Sequence, residues 1–293
     1  MEQFWQQVVL GLENGSIYAS LALALVLVYR ATGVINFAQG EMAMFTTYIA
    51  SSLLEHGFSY WQAFVATLAL GFLGGVTIER VVIRPVERAP ELTIVVVTVG
   101  LLVAINGAAA WIWGTTLKFF PSMFPSHTAT IGGVAIPLDA LEATAVTLGV
   151  VLAMFALFNY TKLGLALRAS ATEPDVSRLL GVRVGWMLAV GWGLAALLGA
   201  VSGLLAAPIV FLTPNLMQGI LLYAFAAAVL GGIDSPVGAV VGGLSIGVGI
   251  NLLSTYVHAI TPELQLPVAL GILLLVLVVR PSGLFGEARV QRV

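Results

Sequence analysis

Long apolar stretches recur along almost the whole chain, and polar residues are concentrated in the short segments between them. A transmembrane helix needs about 20 mostly apolar residues to cross about 30 Å of hydrocarbon. The pattern therefore predicts eight or nine membrane crossings. The candidate spans are 7–29, 34–54, 61–78, 92–113, 138–158, 186–207, 216–233, 236–256 and 264–279.

The second of these stretches is the weakest, because Asn36, Gln39 and Glu41 interrupt it. Polar backbone and side chains survive at membrane depth only where protein or water satisfies them. The sequence therefore predicts a broken or re-entrant segment near 33–45, and eight and nine crossings both stay open. A second glycine and proline break with a carboxylate, 231–236 with Asp234, lies between two later stretches. Interrupted segments in the two halves of a transporter point to its transport path.

Composition agrees with this pattern, since 59% of the 293 residues are hydrophobic and only 9% are charged. Soluble domains carry about 25% charged residues. The predicted fold class is an all-α polytopic membrane protein. The net charge of −2 gives no basic surface for nucleic acid. The chain has no cysteine and three scattered histidines, so no metal site and no cofactor are expected.

Basic residues predict the orientation of the chain, because they mark the cytoplasmic ends of membrane spans. They cluster after the third span, between the fifth and sixth, and after the last. An even number of spans separates these clusters, so all three can lie on the same side of the membrane. Of the 12 basic residues, only Lys118 falls on the other side. The N-terminus is therefore expected outside and the C-terminus in the cytoplasm. The chain start lacks a basic n-region, so the first apolar stretch is expected to be a permanent span.

Two segments outside the spans have recognisable patterns. The outer loop 114–137 contains a run around Gly132 and Gly133 that predicts a small hairpin. The cytoplasmic segment 159–185 predicts a short helix, capped by Thr172 with Asp175 three residues on and ended by Gly181. Val176, Leu179 and Leu180 would share one face of that helix. Contact with a soluble partner and packing on lipid headgroups both remain open.

Polar residues within the spans have more than one interpretation. Glu41 would lie at depth in a pathway, in the headgroup zone, or beside Arg30. Asn106, Gln218 and Asn251 are expected to form hydrogen bonds between helices. Glycines four apart, as in 199–203 and 238–242, favour close helix packing.

Four stretches of the chain together have a recognisable pattern: 14–19 with 32–42, 79–85, 164–169 with 181–182, and 231–238 with 280–286. By these stretches the chain as a whole resembles the permease subunits of branched-chain amino acid ABC importers, of the LivH type. Asp234 replaces a glycine that the family usually has, and Gln39 stands where the family has Gln or His.

The resemblance implies a single permease domain, 1–293, in the bacterial inner membrane. Such a subunit forms half of a channel beside a second permease subunit, surrounded by membrane lipid. It is not itself an enzyme: cytoplasmic ATPase subunits hydrolyse ATP, and an extracytoplasmic binding protein delivers the substrate. The residues implied to couple to the ATPase are Glu173, Asp175, Val176, Arg178, Leu179, Leu180 and Gly181. The residues assigned to the translocation pathway are Asn14, Asn36, Gln39, Glu41 and Asp234.

The expected substrates are leucine, isoleucine and valine. Permeases for urea, short amides or other hydrophobic amino acids would have similar sequences. A stand-alone secondary transporter or channel would place ionisable relays near the bilayer centre, whereas the charges here lie near span ends. A membrane enzyme would need a clustered catalytic set, and the histidines lie apart.

Overall fold

The computed structural model describes residues 2–87, 89–131 and 134–286. Most of this part of the chain is helical. The described helices are α1 (Glu2–Thr32), α2 (Gln39–Glu55), α3 (Tyr60–Ile78), α4 (Glu91–Trp113), α5 (Leu138–Tyr160), α6 (Lys162–Thr172), α7 (Pro174–Leu179), α8 (Val184–Val210), α9 (Gln218–Gly231), α10 (Pro236–Tyr256) and α11 (Pro262–Val279). The described strands are β1 (Thr128–Ile131) and β2 (Val134–Pro137).

Seven of the described helices are long and apolar enough to cross a membrane: α1, α3, α4, α5, α8, α10 and α11. A π turn (Glu79–Ile83) and a 3-10 turn (Arg84–Val86) extend α3. Helices α2 and α9 have 17 and 14 residues, which is less than a full crossing requires. Each of the predicted apolar stretches overlaps one of these helices. The predicted class, an all-α polytopic membrane protein, is therefore confirmed.

Helices α1 and α8 form the centre of the bundle, and in the most apolar 18-residue stretch of each, 67% and 78% of the residues are buried. Leu21, Trp192 and Leu198 are almost wholly enclosed by neighbouring helices. Helices α4 and α11 lie at the periphery and expose apolar side chains such as Val103 and Leu275. This distribution is stable in a bilayer, because lipid tails are as apolar as these side chains.

Helices α1 and α10 pack against each other along a seam of small residues. A Cβ added to Gly15 would lie 2.9 Å from Leu244 Cα and 3.1 Å from the Gly243 carbonyl oxygen. Asn251 continues the seam by donating to the Gln7 carbonyl oxygen at 2.7 Å, as expected for a bond between helices. Small residues four apart let two helix backbones approach this closely. The seam is formed by Gly11, Gly15 and Ala19 of α1 and by Gly243 and Gly247 of α10.

The two ends of the bundle differ in charge. Arg30 and Arg168 line one cleft at the end where α8 begins, which is called the basic end here. Lys118 lies at the other end, where its backbone pairs with Leu212 and its ammonium group contacts Glu55 at 3.0 Å. The other predicted basic residues of the cytoplasmic face include three outside the described residues: Arg88, Arg289 and Arg292.

Strands β1 and β2 pair antiparallel between α4 and α5, with Thr128 opposite Pro137 and Ala129 opposite Ile136. The predicted hairpin is therefore present. Its predicted turn residues, 132–133, lie outside the described part of the chain. The end of the bundle that carries β1, β2 and Lys118 is called the hairpin end.

Two segments of the bundle are interrupted near mid-depth. Helix α2 begins at Gln39, later than the predicted start at 34, because 33–38 are not helical. The second interruption is 211–217, between α8 and α9, a segment that the sequence analysis did not single out. The predicted break at 231–236 is instead a tight turn between α9 and α10. Proline and glycine there simply end one helix and start the next.

Candidate translocation and coupling sites

Buried amide side chains fix the start of α2. Asn36 Oδ1 accepts a hydrogen bond from the Ala38 backbone N–H at 3.0 Å, which closes the turn that leads into the helix. Asn36 Nδ2 donates to Gln39 Oε1 at 3.2 Å, and Gln39 Nε2 donates to the Ala195 carbonyl oxygen at 2.9 Å. Both side chains are fully buried. This network holds the start of α2 against the middle of α8.

Glu41 lies in the first turn of α2 and is only 3% exposed. Its Oε2 accepts a hydrogen bond from Asn106 Nδ2 of α4 at 3.1 Å. The same Nδ2 donates to the Pro214 carbonyl oxygen at 2.9 Å. Asn106 therefore joins α4 to α2 and to the 211–217 segment, and its predicted role as a link between helices is confirmed.

The two interrupted segments meet at this depth. A Cβ added to Gly40 would lie 3.3 Å from Met217 Cβ, so the start of α2 packs directly against the start of α9. Beside this contact, Asn215 and Gln218 are exposed on the surface of the subunit. Gln218 Nε2 donates to Asn215 Oδ1 at 3.0 Å. The predicted link from Gln218 to another helix is therefore wrong, because its bond stays within its own segment.

The remaining candidate pathway residues lie elsewhere. Asn14 is half-buried in the first half of α1. Asp234 is half-buried in the turn between α9 and α10. It lines a cleft of about 1110 Å³ at the basic end, together with Arg30 and Arg168. The five candidate residues thus fall in three separate places.

Helix α7 projects apolar side chains at the basic end. Leu179 and Leu180 are 88% and 78% exposed, and Val176 is 50% exposed. Arg178 and Asp175 form an exposed ion pair of 2.9 Å within the same helix. Exposed apolar side chains rimmed by charges mark a surface that contacts another protein or a membrane.

The start of α7 differs from the prediction. Thr172 ends α6, and its hydroxyl donates to the Arg168 carbonyl oxygen at 3.0 Å, so Thr172 does not cap α7. Glu173 is the N-cap residue, and Pro174 occupies the first helical position. Pro174 disfavours helical geometry at the residue before it, which separates the two helices. Gly181, with a φ of 84°, follows the end of α7 as expected.

A charged cluster joins α3 to the first turn of α8, shortly after α7. Arg84 Nε and Nη2 donate to the two carboxylate oxygens of the buried Glu79, at 3.2 and 2.8 Å, and Nη2 also donates to the Gly185 carbonyl oxygen. The Arg80 guanidinium lies 3.5 Å from the centre of the Trp186 ring. Sequence reasoning missed this cluster, because residues five apart do not meet on an α-helix. The π turn brings Glu79 and Arg84 together.

The family model for the permease component of branched-chain amino acid transport systems matches residues 7–277. The chain belongs to this family. It is a multi-pass protein of the inner membrane, and the members of its family are permease components of transport systems. Its resemblance to the LivH-type permeases is confirmed.

Curated relatives match over almost the full chain. LivH of Escherichia coli K12, a high-affinity branched-chain amino acid transport system permease protein, is 31% identical over 99% of this chain and 98% of its own length. BraD of Pseudomonas aeruginosa, a protein of the same description, is 31% identical with the same coverage. A probable LivH of Methanocaldococcus jannaschii is 27% identical over 94% of this chain and 91% of its own. No solved structure matches the chain.

Proposed function

We propose that the chain is one permease subunit of an ATP-driven importer that carries leucine, isoleucine and valine into the cytoplasm. The match of residues 7–277 to the permease family carries this proposal. The whole chain, 1–293, acts as a single permease domain. ATP hydrolysis takes place on partner ATPase subunits, and a second permease subunit forms the other half of the channel. An extracytoplasmic binding protein delivers the substrate, so selectivity lies mainly in that protein.

The proposed topology has nine crossings, with the N-terminus outside and the C-terminus in the cytoplasm. The segment 33–38 continues into α2, and 211–217 continues into α9, so each pair is long enough for one crossing. The basic end faces the cytoplasm, which the positive-inside rule supports. The loop 114–137 then faces the binding protein.

Helix α7, within the coupling segment 159–185, is proposed to sit in a groove of an ATPase subunit. The exposed Leu179 and Leu180 support this assignment, because adjacent apolar side chains that are exposed and surrounded by charged residues are typical of a surface that binds another protein. The residues proposed to make the contact are Glu173, Asp175, Val176, Arg178, Leu179, Leu180 and Gly181. The Arg84 cluster then carries movement of α7 from the start of α8 to α3.

The pathway assignment of Asn14, Asn36, Gln39, Glu41 and Asp234 stays a prediction. The burial of Asn36, Gln39 and Glu41 within one subunit favours a positioning role beside the pathway over direct contact with substrate. Asp234, in the cleft at the basic end, would lie near the cytoplasmic exit.

Replacing Leu179 with glutamate tests the coupling assignment. Burying one leucine contributes about 1.5–3 kcal/mol, so its loss should weaken binding of the ATPase roughly 10- to 100-fold. The measurements are co-purification of the ATPase in mild detergent and uptake of labelled leucine into vesicles. Both should fall, while the amount of subunit in the membrane stays unchanged.

Leu264→Glu is the matched control, because Leu264 is also an exposed leucine near a helix end but lies in the first turn of α11, at the hairpin end of the bundle. It should keep normal co-purification and uptake. Coupled uptake by Leu179→Glu at the control rate would show that α7 is not the coupling helix. A chain that imports leucine alone, without any ATPase, would contradict the proposed function itself.

A further inference from the structure

We infer that the surface around Asn215 and Gln218 lines the translocation path, between this permease subunit and its partner permease. The inference rests on the proposed function, since it assigns a place for the path that the function requires. Neither residue was among the candidates from the sequence.

The position of these two side chains along the bundle is near its middle. Asn106, which bonds to the Pro214 carbonyl oxygen, lies about 6 Å past the midpoint of the 23-residue α4 at 1.5 Å per residue. Met217 packs against Gly40, whose neighbour Gln39 bonds to Ala195 in the middle of α8. Asn215 and Gln218 adjoin these residues along the chain. They therefore lie close to the centre of the hydrocarbon layer.

A surface of this kind is not compatible with lipid. The backbone of 211–217 is not helical, and the amide groups of Asn215 and Gln218 are exposed beside it. Irregular backbone at membrane depth is tolerated only where protein covers it or where it lines a water-filled cavity. Polar side chains within the membrane likewise face the interior of an assembly or an aqueous path. This face must therefore be directed away from lipid.

The exposed face of α4 at similar depth shows the contrast. Its exposed side chains in this region are apolar, for example Val99 and Val103, and Val103 is 64% exposed. Such a face is suited to lipid tails. The difference between the two faces distinguishes a lipid-facing side of the subunit from a path-facing side.

The chemistry of the amide pair fits a zwitterion. The bond from Gln218 to Asn215 uses one donor and one acceptor. Among the described residues, Asn215 Nδ2 and Gln218 Oε1 form no hydrogen bond. An amide NH₂ group can donate to an α-carboxylate, and an amide oxygen can accept from an α-ammonium group. Neutral amides bind the α-carboxylate and the α-ammonium group only weakly, so the amino acid can pass without being trapped.

The backbone at the entry to this segment is strained. Phe211 has a φ of 64° and is the one residue other than glycine with a positive φ in the described part of the chain. Such a conformation costs about 1–3 kcal/mol and persists where the surrounding structure requires it. At Phe211 the chain leaves α8 and turns back toward mid-depth. The pairing of Leu212 with Lys118 and the bond from Asn106 to the Pro214 carbonyl oxygen hold 211–217 in this strained path.

Cysteine labelling tests the inference directly, because the chain contains no natural cysteine. The variants are Asn215→Cys and Gln218→Cys in the complete transporter, with Val103→Cys as the exposed, lipid-facing control at similar depth. The probe is a membrane-impermeant sulfonate thiol reagent, and its attachment to this subunit is measured by mass. We expect labelling of positions 215 and 218 at least tenfold faster than position 103 in one or more nucleotide states. Labelling no faster than at position 103 in every state would overturn the inference.

Uptake provides the second measurement. Gln218→Leu removes both the donor and the acceptor and should lower leucine uptake at least tenfold, with the ATPase still co-purified. Val103→Leu should transport normally. Uptake by Gln218→Leu at the rate of the parent would also overturn the lining role. If the parent complex does not import leucine, the proposed function fails, and labelling still tests whether this face is water-filled.

Discussion

The seam between α1 and α10 contains a matched pair of glycines that tests how the bundle is held together. Gly247 and Gly249 lie two residues apart on α10 and differ in what an added methyl group would meet. At Gly247 a Cβ would lie within 3.0 Å of the backbone of Gly15 and Gly11, whereas at Gly249 nothing lies within 4 Å. Gly247→Ala should therefore destabilise the protein, and Gly249→Ala should not.

The magnitude follows from the type of atom that the methyl group meets. Overpacking a closely packed interior costs about 1–3 kcal/mol, and the upper part of that range applies here, because a backbone cannot rotate away as a side chain can. Alanine also gains about 0.5–1 kcal/mol over glycine within a helix. Both variants share that gain, so it cancels from their comparison. The expected difference between them is about 2–3 kcal/mol.

Thermal unfolding of the purified protein in detergent measures this difference. One kcal/mol shifts Tm by about 2–4 °C for a domain of 150–250 residues. Gly247→Ala should therefore unfold at least about 4 °C below Gly249→Ala. Equal Tm values for the two variants would show that α1 and α10 do not pack through Gly247, and the description of the seam would then be wrong.

Two further substitutions probe the links between interrupted and coupling segments. Asn106→Leu should destabilise by about 2–4 kcal/mol, since it removes the donor to Glu41 and to the 211–217 backbone, while Asn159→Leu, whose side chain bonds only within α5, should keep the parental Tm. Arg84→Lys keeps the charge but cannot bond Glu79 through two nitrogens and also reach the α8 backbone. It should lower leucine uptake per ATP hydrolysed several-fold in proteoliposomes; an unchanged ratio would exclude the α3–α8 cluster from coupling.

Periodicity and composition predict the helices well, because a membrane-spanning helix requires a continuous run of apolar residues, and such a run is a property of the local sequence. The predicted span 236–256 coincides with α10, and 138–158 lies within α5. The hairpin of β1 and β2 and the end of α7 at Gly181 also follow local rules. Glycine spacing predicts close packing, and the α1–α10 seam confirms it.

The interruptions and their partners depend on contacts between residues far apart in the chain. Nothing near Asn36 in the sequence indicates that Gln39 will bond to Ala195, or that Asn106 will bridge Glu41 and Pro214. The predicted cap at Thr172 was wrong because Thr172 is the last residue of α6, so its hydroxyl bonds back to a carbonyl of that helix. A π turn brings Glu79 to Arg84, and the α-helical spacing rule does not describe that geometry.

The two interruptions differ in how their polar groups are satisfied, and this difference bears on where transport takes place. At the first, Asn36 and Gln39 form their bonds inside the subunit and are fully buried. At the second, Asn215 and Gln218 remain exposed near the centre of the bundle. Each unsatisfied polar group costs several kcal/mol in hydrocarbon, so the second interruption is stable only beside water or another subunit. A path formed between two permease subunits meets that requirement, because it gives the exposed amides both water and a substrate with matching charges.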